Sequence, residues 1–192
     1  MARIWRLLGL ALLAGTARAD GTLSIGADAP PLTLKDVAGQ AHVLADLKDQ
    51  SAVMLVWMSI KCPASAAYER RIQSLYEEFK ARHVTLWVID SGVGEEPEAI
   101  RAHQAEHQLT YPVLRDPNGK ACVAYGASVT PEVFMLDGGL KLKYHGAVDN
   151  NRDPARVDPA KRFARNALLA LLDGRDPDPA TTVASGCSIE HG

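Results

Sequence analysis

Cysteine is the residue type here with the most obvious chemistry, and Cys62 lies where a predicted strand runs into a predicted helix. Residues 53–58 are apolar, as in a buried strand, and residues 64–79 have apolar positions at helical spacing. Unpaired backbone N–H groups and the positive end of a helix dipole meet at such a junction and favour the thiolate. We therefore expect Cys62 to be a nucleophile, the alternative being an inert buried thiol.

The two neighbours of Cys62 support the same interpretation. Pro63 suits the first position of a helix, because the N–H that proline lacks has no partner there. Lys61 adds a cation next to the thiol. We predict that Cys62 has the lowest pKa of the three cysteines.

The other two cysteines are candidates for pairing with an oxidised Cys62. Cys122 lies in a predicted short helix, where it either resolves the oxidised thiol or simply fills the core. Cys187 lies in the tail of residues 173–192, which we expect to be flexible when reduced. The 14 residues before Cys187 span up to about 46 Å when extended, so Cys187 can reach Cys62. The alternative is that Cys187 is an exposed thiol without a partner. We favour Cys187 over Cys122.

Two histidines have a spacing found in metal sites. His103 and His107 are four residues apart on a predicted helix, but no cysteine or carboxylate pattern beside them completes a ligand set. We interpret them as part of a solvated helix face, and Glu69, Arg70 and Arg71 likewise. The sequence predicts neither a metal nor a cofactor.

The first 19 residues resemble a secretory signal peptide. A basic start is followed by an apolar run over residues 7–15 and by Ala17-Arg18-Ala19, a small-residue cleavage site. Removal of this segment changes the formal net charge from −2 to −5 and leaves a chain that is not membrane-embedded. We expect an exported protein, periplasmic or extracellular, that does not bind nucleic acid.

The order of the predicted elements indicates an α/β domain over residues 20–172. A hairpin near residues 32–44 precedes a strand–helix–strand unit, and a helix, a second hairpin and a last helix follow. This order predicts a thioredoxin-like fold, with a central mixed sheet flanked by helices and an N-terminal hairpin extension.

Four segments resemble the peroxiredoxin-like redoxins (AhpC/TSA type) of the thioredoxin superfamily, over roughly residues 23–190. They are the active-site segment 57–65, the loop and strand 129–137, the last strand and loop 144–150, and the terminal motif 186–189. The resemblance implies a cis bond between Thr130 and Pro131, facing Cys62.

Three positions depart from the patterns of related families. Ser65 replaces the second cysteine of the thioredoxin Cys-x-x-Cys motif, and Leu55 replaces a proline of the peroxiredoxin motif. Pro131 stands where peroxiredoxins have an arginine that positions peroxide. These departures favour thiol–disulfide exchange over peroxidase activity.

The resemblance implies that Cys62 attacks a protein disulfide or a peroxide, and that an external thiol reductant restores it. Ser59 and Ser65 are expected to hydrogen-bond the sulfur, and Pro131 to hold a backbone edge for a substrate strand. The alternatives are a thiol peroxidase acting as an antioxidant and a non-catalytic module that binds copper(I) through its thiol.

Overall fold

The computed structural model describes residues 23–151 and 161–190, so the predicted signal peptide lies outside the described residues. The strands are β1 (Thr33–Asp36), β2 (Ala41–Val43), β3 (Ala52–Met58), β4 (Val84–Asp90), β5 (Val113–Arg115), β6 (Val129–Thr130), β7 (Glu132–Leu136), β8 (Leu142–Gly146) and β9 (Cys187–Ser188). The helices are α1 (Pro63–Ala66), α2 (Glu69–Phe79), α3 (Pro97–His107), α4 (Lys120–Tyr125) and α5 (Phe163–Leu172), with a 3-10 helix at Leu44–Leu47.

Seven strands form one mixed sheet in the order β2-β1-β5-β4-β3-β7-β8. At its centre, β3 is parallel to β4 and antiparallel to β7, while β5 runs parallel to β4. The carboxyl end of β3 therefore lies between two neighbours, where open α/β sheets bind ligands. The predicted mixed sheet flanked by helices is confirmed.

The central strand β3 is buried along its whole length because both faces of the sheet are covered. Its alternate residues belong to two apolar clusters, one with Met54, Val56 and Met58 and the other with Val53, Leu55 and Trp57. The first cluster includes residues of α2 and α5, and the second includes residues of α4. This packing on both faces fixes the end of β3, and with it the start of the active-site turn.

The predicted N-terminal hairpin is present as β1 and β2, joined by a turn that Asp36 closes. Its Oδ1 accepts hydrogen bonds from the backbone N–H groups of Ala38 and Gln40, both at 2.9 Å. The hairpin adds to the sheet because β1 pairs with β5.

The helix expected to run unbroken from Cys62 is in fact two helices, α1 and α2. Between the two helices the chain forms a 3-10-type turn, in which the N–H of Tyr68 donates to the carbonyl of Ser65, three residues back, at 2.8 Å. The side chain of Tyr68 is buried in the apolar cluster that contains α2. The apolar spacing predicted the helical conformation of this segment but not the break between α1 and α2.

The tail after α5 lies against the domain in this disulfide-bonded form. The N–H of Thr182 donates to the carbonyl of His145, and its hydroxyl accepts from the N–H of Ala147. A β-carbon at Gly146 would overlap the Thr182 carbonyl, so this approach requires glycine. The predicted mobility of the tail concerns the reduced form and stays a prediction.

None of the helices in the described ranges is both long enough and apolar enough to span a bilayer.

Candidate active site

Cys62 is the residue that caps α1, directly after the turn that ends β3. Its backbone is extended, and its Sγ accepts a hydrogen bond from the N–H of Ser65 at 3.3 Å. Pro63 occupies the first helical turn, as expected. However, α1 has only four residues, so the dipole of a long helix, which we expected to stabilise the thiolate, is not available here. The Ser65 N–H is the main local support for a negative sulfur.

The sulfur of Cys62 is bonded to that of Cys187, 125 positions later in the chain, with the two Cα atoms 6.0 Å apart. This is the pairing that we favoured from the sequence. The Cys62 side chain is buried, whereas Cys187 is partly exposed. An external thiol therefore has better access to the sulfur of Cys187.

The tail positions Cys187 through a two-stranded antiparallel sheet. In this sheet β9 pairs with β6, and Cys187 lies opposite Thr130. Gly186 is required there, because a β-carbon would overlap the Thr130 carbonyl oxygen. The same oxygen lies 3.3 Å from the sulfur of Cys62. The backbone of Thr130 thus contacts the sulfur of Cys62 and also the tail residues at Cys187.

The peptide bond between Thr130 and Pro131 is cis, as the resemblance implied. This bond separates β6, which pairs with β9 of the tail, from β7, which pairs with β3. Pro131 itself is buried beside the site.

The two serines do not contact the sulfur through their hydroxyl groups, contrary to expectation. The Ser59 hydroxyl donates to Glu95 at 2.5 Å, and the hydroxyl of the fully buried Ser65 accepts from the N–H of Ser59 at 3.3 Å. Ser65 reaches the sulfur through its backbone instead. In this form, both side chains stabilise the turn around Cys62.

Glu95 organises this turn, a role that the sequence did not reveal. Besides Ser59, it accepts hydrogen bonds from the N–H groups of Ile60 at 2.9 Å and Lys61 at 3.4 Å. Burial opposes its charge, but hydrogen bonds from Asp90, Ser59 and this backbone hold the pKa of Glu95 below its usual value. Glu95 therefore remains a carboxylate that accepts from the Ser59 hydroxyl and from two backbone N–H groups of the turn.

Asp90, at the end of β4, is the protonated partner of Glu95. Burial raises the pKa of Asp90 to about 9, and the hydrogen bond to Glu95 adds to the effect. Two adjacent buried carboxyl groups do not both ionise, so Asp90 carries the shared proton.

Lys61 does not place its charge on the sulfur. Its ammonium group donates to the carbonyls of Val93 and Gly94, each at 3.1 Å. This ties the active-site turn to the loop before α3.

A cleft of about 210 Å³ opens between that loop, the turn and the tail, and both Cys62 and Cys187 line it.

Cys122 is not placed to resolve Cys62. It is fully buried in α4, and its thiol donates to the carbonyl of Ala127 at 3.0 Å. Burial raises the pKa of Cys122 to about 12, and the nearby carboxylates of Asp116 and Glu132 add to the effect. The core-filling alternative is the correct one for this residue.

Two residues of the expected solvated face on α2 instead make contacts with buried or partly buried groups, although Arg70 is exposed. Arg71 donates to both oxygens of the buried carboxylate of Asp149, each at 2.8 Å. Glu69 is buried and bonds both His103 and His107 on α3. The carboxylate that we did not find beside the histidine pair thus comes from another helix.

The chain is similar in sequence and in fold to several known proteins. The chain is 24% identical over 136 residues to a thiol-disulfide oxidoreductase ResA of Geobacillus thermodenitrificans, a match that covers 71% of this chain and 76% of the relative. A solved structure of an uncharacterized conserved protein from Geobacillus kaustophilus has a TM-score of 0.81 at 28% identity and covers 88% of this chain and 93% of that one.

A third comparison concerns the fold alone. A putative thiol:disulfide interchange protein DsbE from Chlorobium tepidum has a TM-score of 0.63 at 21% identity, covering 79% of this chain and 99% of that one. The thioredoxin-like fold expected from the sequence is thereby confirmed. The names of the curated relatives agree with the expected class of thiol-dependent oxidoreductase. Residues 25–145, well over half of the sequence, match the AhpC/TSA family, and the chain belongs to that family.

Proposed function

We propose that this protein is an exported thiol–disulfide oxidoreductase whose redox couple is Cys62 and Cys187. The observation that carries the proposal is the disulfide between them, held by a tail that pairs with the strand before the cis proline. Cys187 would take the role that the second cysteine has in a Cys-x-x-Cys motif. The relatives named thiol-disulfide oxidoreductases support the same chemistry.

Reduction of the couple would begin at Cys187, the more exposed sulfur. The thiolate of an external reductant attacks this sulfur, forms a mixed disulfide with the tail and releases Cys62 as a thiolate. The N–H of Ser65 stabilises that leaving group. A second reductant thiolate then attacks the reductant's sulfur in the mixed disulfide and frees Cys187, so two electrons have entered the couple.

Substrate reduction would follow with Cys62 as nucleophile. Its thiolate attacks a protein disulfide, forms a mixed disulfide and releases one substrate thiolate, which takes up a proton. Cys187 then attacks the sulfur of Cys62 and releases the second substrate thiol. Since β9 occupies the open edge of β6, the tail must leave before a substrate strand can pair there.

Variants of the three cysteines test this proposal in a disulfide-reduction assay with a thiol reductant. Cys62→Ser should abolish turnover, and Cys187→Ser, incubated with the substrate in the absence of the reductant, should trap a mixed disulfide on Cys62. Cys122→Ala is the matched control and should react like the wild type. Turnover that survives in Cys62→Ser, or mixed disulfides that map to Cys122, would overturn the assignment.

Peroxidase activity is the second candidate, and membership of the AhpC/TSA family favours it. Cys62 would be oxidised to a sulfenic acid with release of an alcohol or water, and Cys187 would displace water to form the same disulfide. The Ser59 hydroxyl is engaged by Glu95, and no arginine stands at Pro131, so we expect slow peroxide consumption. Peroxide turnover faster than disulfide exchange in the wild type would reverse the order of the two candidates.

Export rests on the pattern of residues 1–19, which lie outside the described residues. Mass analysis of the protein recovered from its native compartment should give a chain that begins at Asp20. A chain that retains Met1 would contradict export by cleavage at this site.

A further inference from the structure

Three side chains from two helices converge at a point that the thiol chemistry does not use. Glu69 begins α2, and His103 and His107 lie one turn apart at the end of α3. Nε2 of His103 is 2.5 Å from one oxygen of Glu69, and Nδ1 of His107 is 2.8 Å from the other. One potential ligand atom of each residue lies within 4.8 Å of the other two.

The Glu69 carboxylate is buried, and the groups that face it are two imidazoles. The Glu69 side chain is only 6% exposed, against 18% for His103 and 38% for His107. Within the described ranges, its bonding partners are the two imidazoles, and no lysine or arginine is paired with it. Burial of a carboxylate is unfavourable unless a cation compensates it, and a metal ion would supply that charge.

The two imidazoles are already arranged as a pair. Their rings stack with centroids 4.1 Å apart and planes 24° from parallel. Four-residue spacing on a helix directs both rings to the same side, where Glu69 meets them. Little rearrangement of the backbone is needed for one ion to contact a nitrogen of each ring and a carboxylate oxygen.

We propose that Glu69, His103 and His107 bind one zinc ion. Two imidazole nitrogens and one carboxylate oxygen are ligands that zinc accepts in a tetrahedral site. Three protein ligands leave a fourth position for water, which the partly exposed side of His107 makes accessible. The ion would clamp α2, which follows the active-site turn, to α3.

This zinc site is separate from the thiol site. A cavity of about 20 Å³, enough for about one water, lies between the two sites. Glu69 and His103 line it on the side of the proposed ion, and Asp90 and Ser59 line it on the side of the active-site turn. The proposed ion therefore does not contact the redox sulfurs. We expect zinc to leave the rate of disulfide exchange unchanged and to act on the packing of the two helices.

Titration of the untagged, oxidised protein with Zn²⁺ tests the site, because the disulfide prevents Cys62 and Cys187 from acting as ligands. We expect one ion per chain by calorimetry. His103→Gln and His107→Gln should each weaken binding by more than the about 10-fold loss typical of removing a supporting partner. His42→Gln is the matched control, because His42 bonds a single carboxylate, that of Asp36, and should not change the affinity.

Cobalt(II) provides a second measurement that needs no variant. The wild type should give the intense visible bands of four-coordinate Co²⁺ without a sulfur-to-cobalt charge-transfer band, and added Zn²⁺ should remove them. No stoichiometric binding, a six-coordinate cobalt spectrum, or equal loss of affinity in His42→Gln and His107→Gln would overturn the proposal. Since His107 is the most exposed of the three ligands, circular dichroism of His107→Gln should confirm that its fold is intact.

Discussion

Cys187 lies directly opposite Thr130 in the antiparallel pair of β6 and β9, so the tail covers the backbone edge that precedes the cis proline. The N–H of Ile189 extends this contact by donating to the carbonyl of Ser128 at 3.0 Å. The disulfide thus forms within an ordered backbone pairing. Any change that weakens the pairing should make the disulfide easier to reduce.

Gly186→Ala should raise the reduction potential of the couple. The added β-carbon would overlap the Thr130 carbonyl in the oxidised form only, since the contact depends on the docked tail. Overpacking typically costs about 1–3 kcal/mol, which corresponds to an increase of about 20–65 mV. Equilibration with glutathione buffers measures the potential.

Gly139→Ala is the control for this experiment. Its β-carbon would lie 3.3 Å from an oxygen of Asp137 in the turn between β7 and β8, outside the pairing of β6 with β9. The potential of this variant should equal that of the wild type. An unchanged potential in Gly186→Ala would mean that the docked tail does not stabilise the disulfide.

Asp90→Asn should reduce the pH dependence of stability. The pKa of Asp90 is raised in the folded protein to about 9 from an ordinary value of 3.8, so its favourable contribution is complete below pH 3.8 and is lost as the pH rises towards 9. Asparagine keeps the acceptor for Gly92 and a donor for Glu95 but does not titrate.

Urea unfolding between pH 5 and pH 9 measures this difference. Relative to Asp90→Asn, the wild type should lose stability with rising pH, by at most about 1.4 kcal/mol per pH unit. Asp46→Asn, at an exposed position, should follow the wild type. Parallel curves for the wild type and Asp90→Asn would contradict a protonated Asp90.

Arg71→Ala should destabilise the fold much more than Arg165→Ala. Removal of Arg71 leaves the buried carboxylate of Asp149 without its ion-pair partner, at a cost of about 3–5 kcal/mol. Arg165 pairs with Glu78 at the surface, where such a pair contributes about 0–1 kcal/mol. Denaturant unfolding compares the two variants, and similar losses would show that burial of the Arg71–Asp149 pair contributes little.

Alkylation of the reduced, folded protein should modify two cysteines of the three. Cys122 should remain unmodified at pH 8, because burial raises its pKa to about 12 and its thiol is already bonded to Ala127. Mass spectrometry after a short exposure to iodoacetamide should find label on Cys62 and Cys187, and on all three after unfolding. Early modification of Cys122 would mean that α4 opens readily.

The alkylation rate of the reduced protein as a function of pH measures the pKa of Cys62. We expect the lowest value of the three thiols, because the Ser65 N–H faces its sulfur. An apparent pKa at or above the ordinary value of about 8.5 would contradict Cys62 as the activated nucleophile.

Local sequence patterns were sufficient for the elements that carry Cys62. The apolar run of β3, the proline after the cysteine and the helical spacing beyond it predicted the junction at which the thiol lies. The hairpin turn at Asp36 was predictable for the same reason, because its hydrogen bonds join residues two and four positions apart. The length of the tail favoured Cys187 as the partner of Cys62, and the structure has that pair.

The tertiary structure alone decided which side chains from distant parts of the sequence meet. Glu95 accepts a hydrogen bond from the hydroxyl of Ser59, 36 positions earlier in the sequence. Glu69 forms hydrogen bonds with His103 and His107, which are 34 and 38 positions later. No periodicity within one helix or strand encodes such contacts, because they depend on how the elements pack on the sheet. The sequence by itself determined which atoms can react, and the packing of α2, α3 and the tail determined which charges and hydrogen bonds those atoms meet.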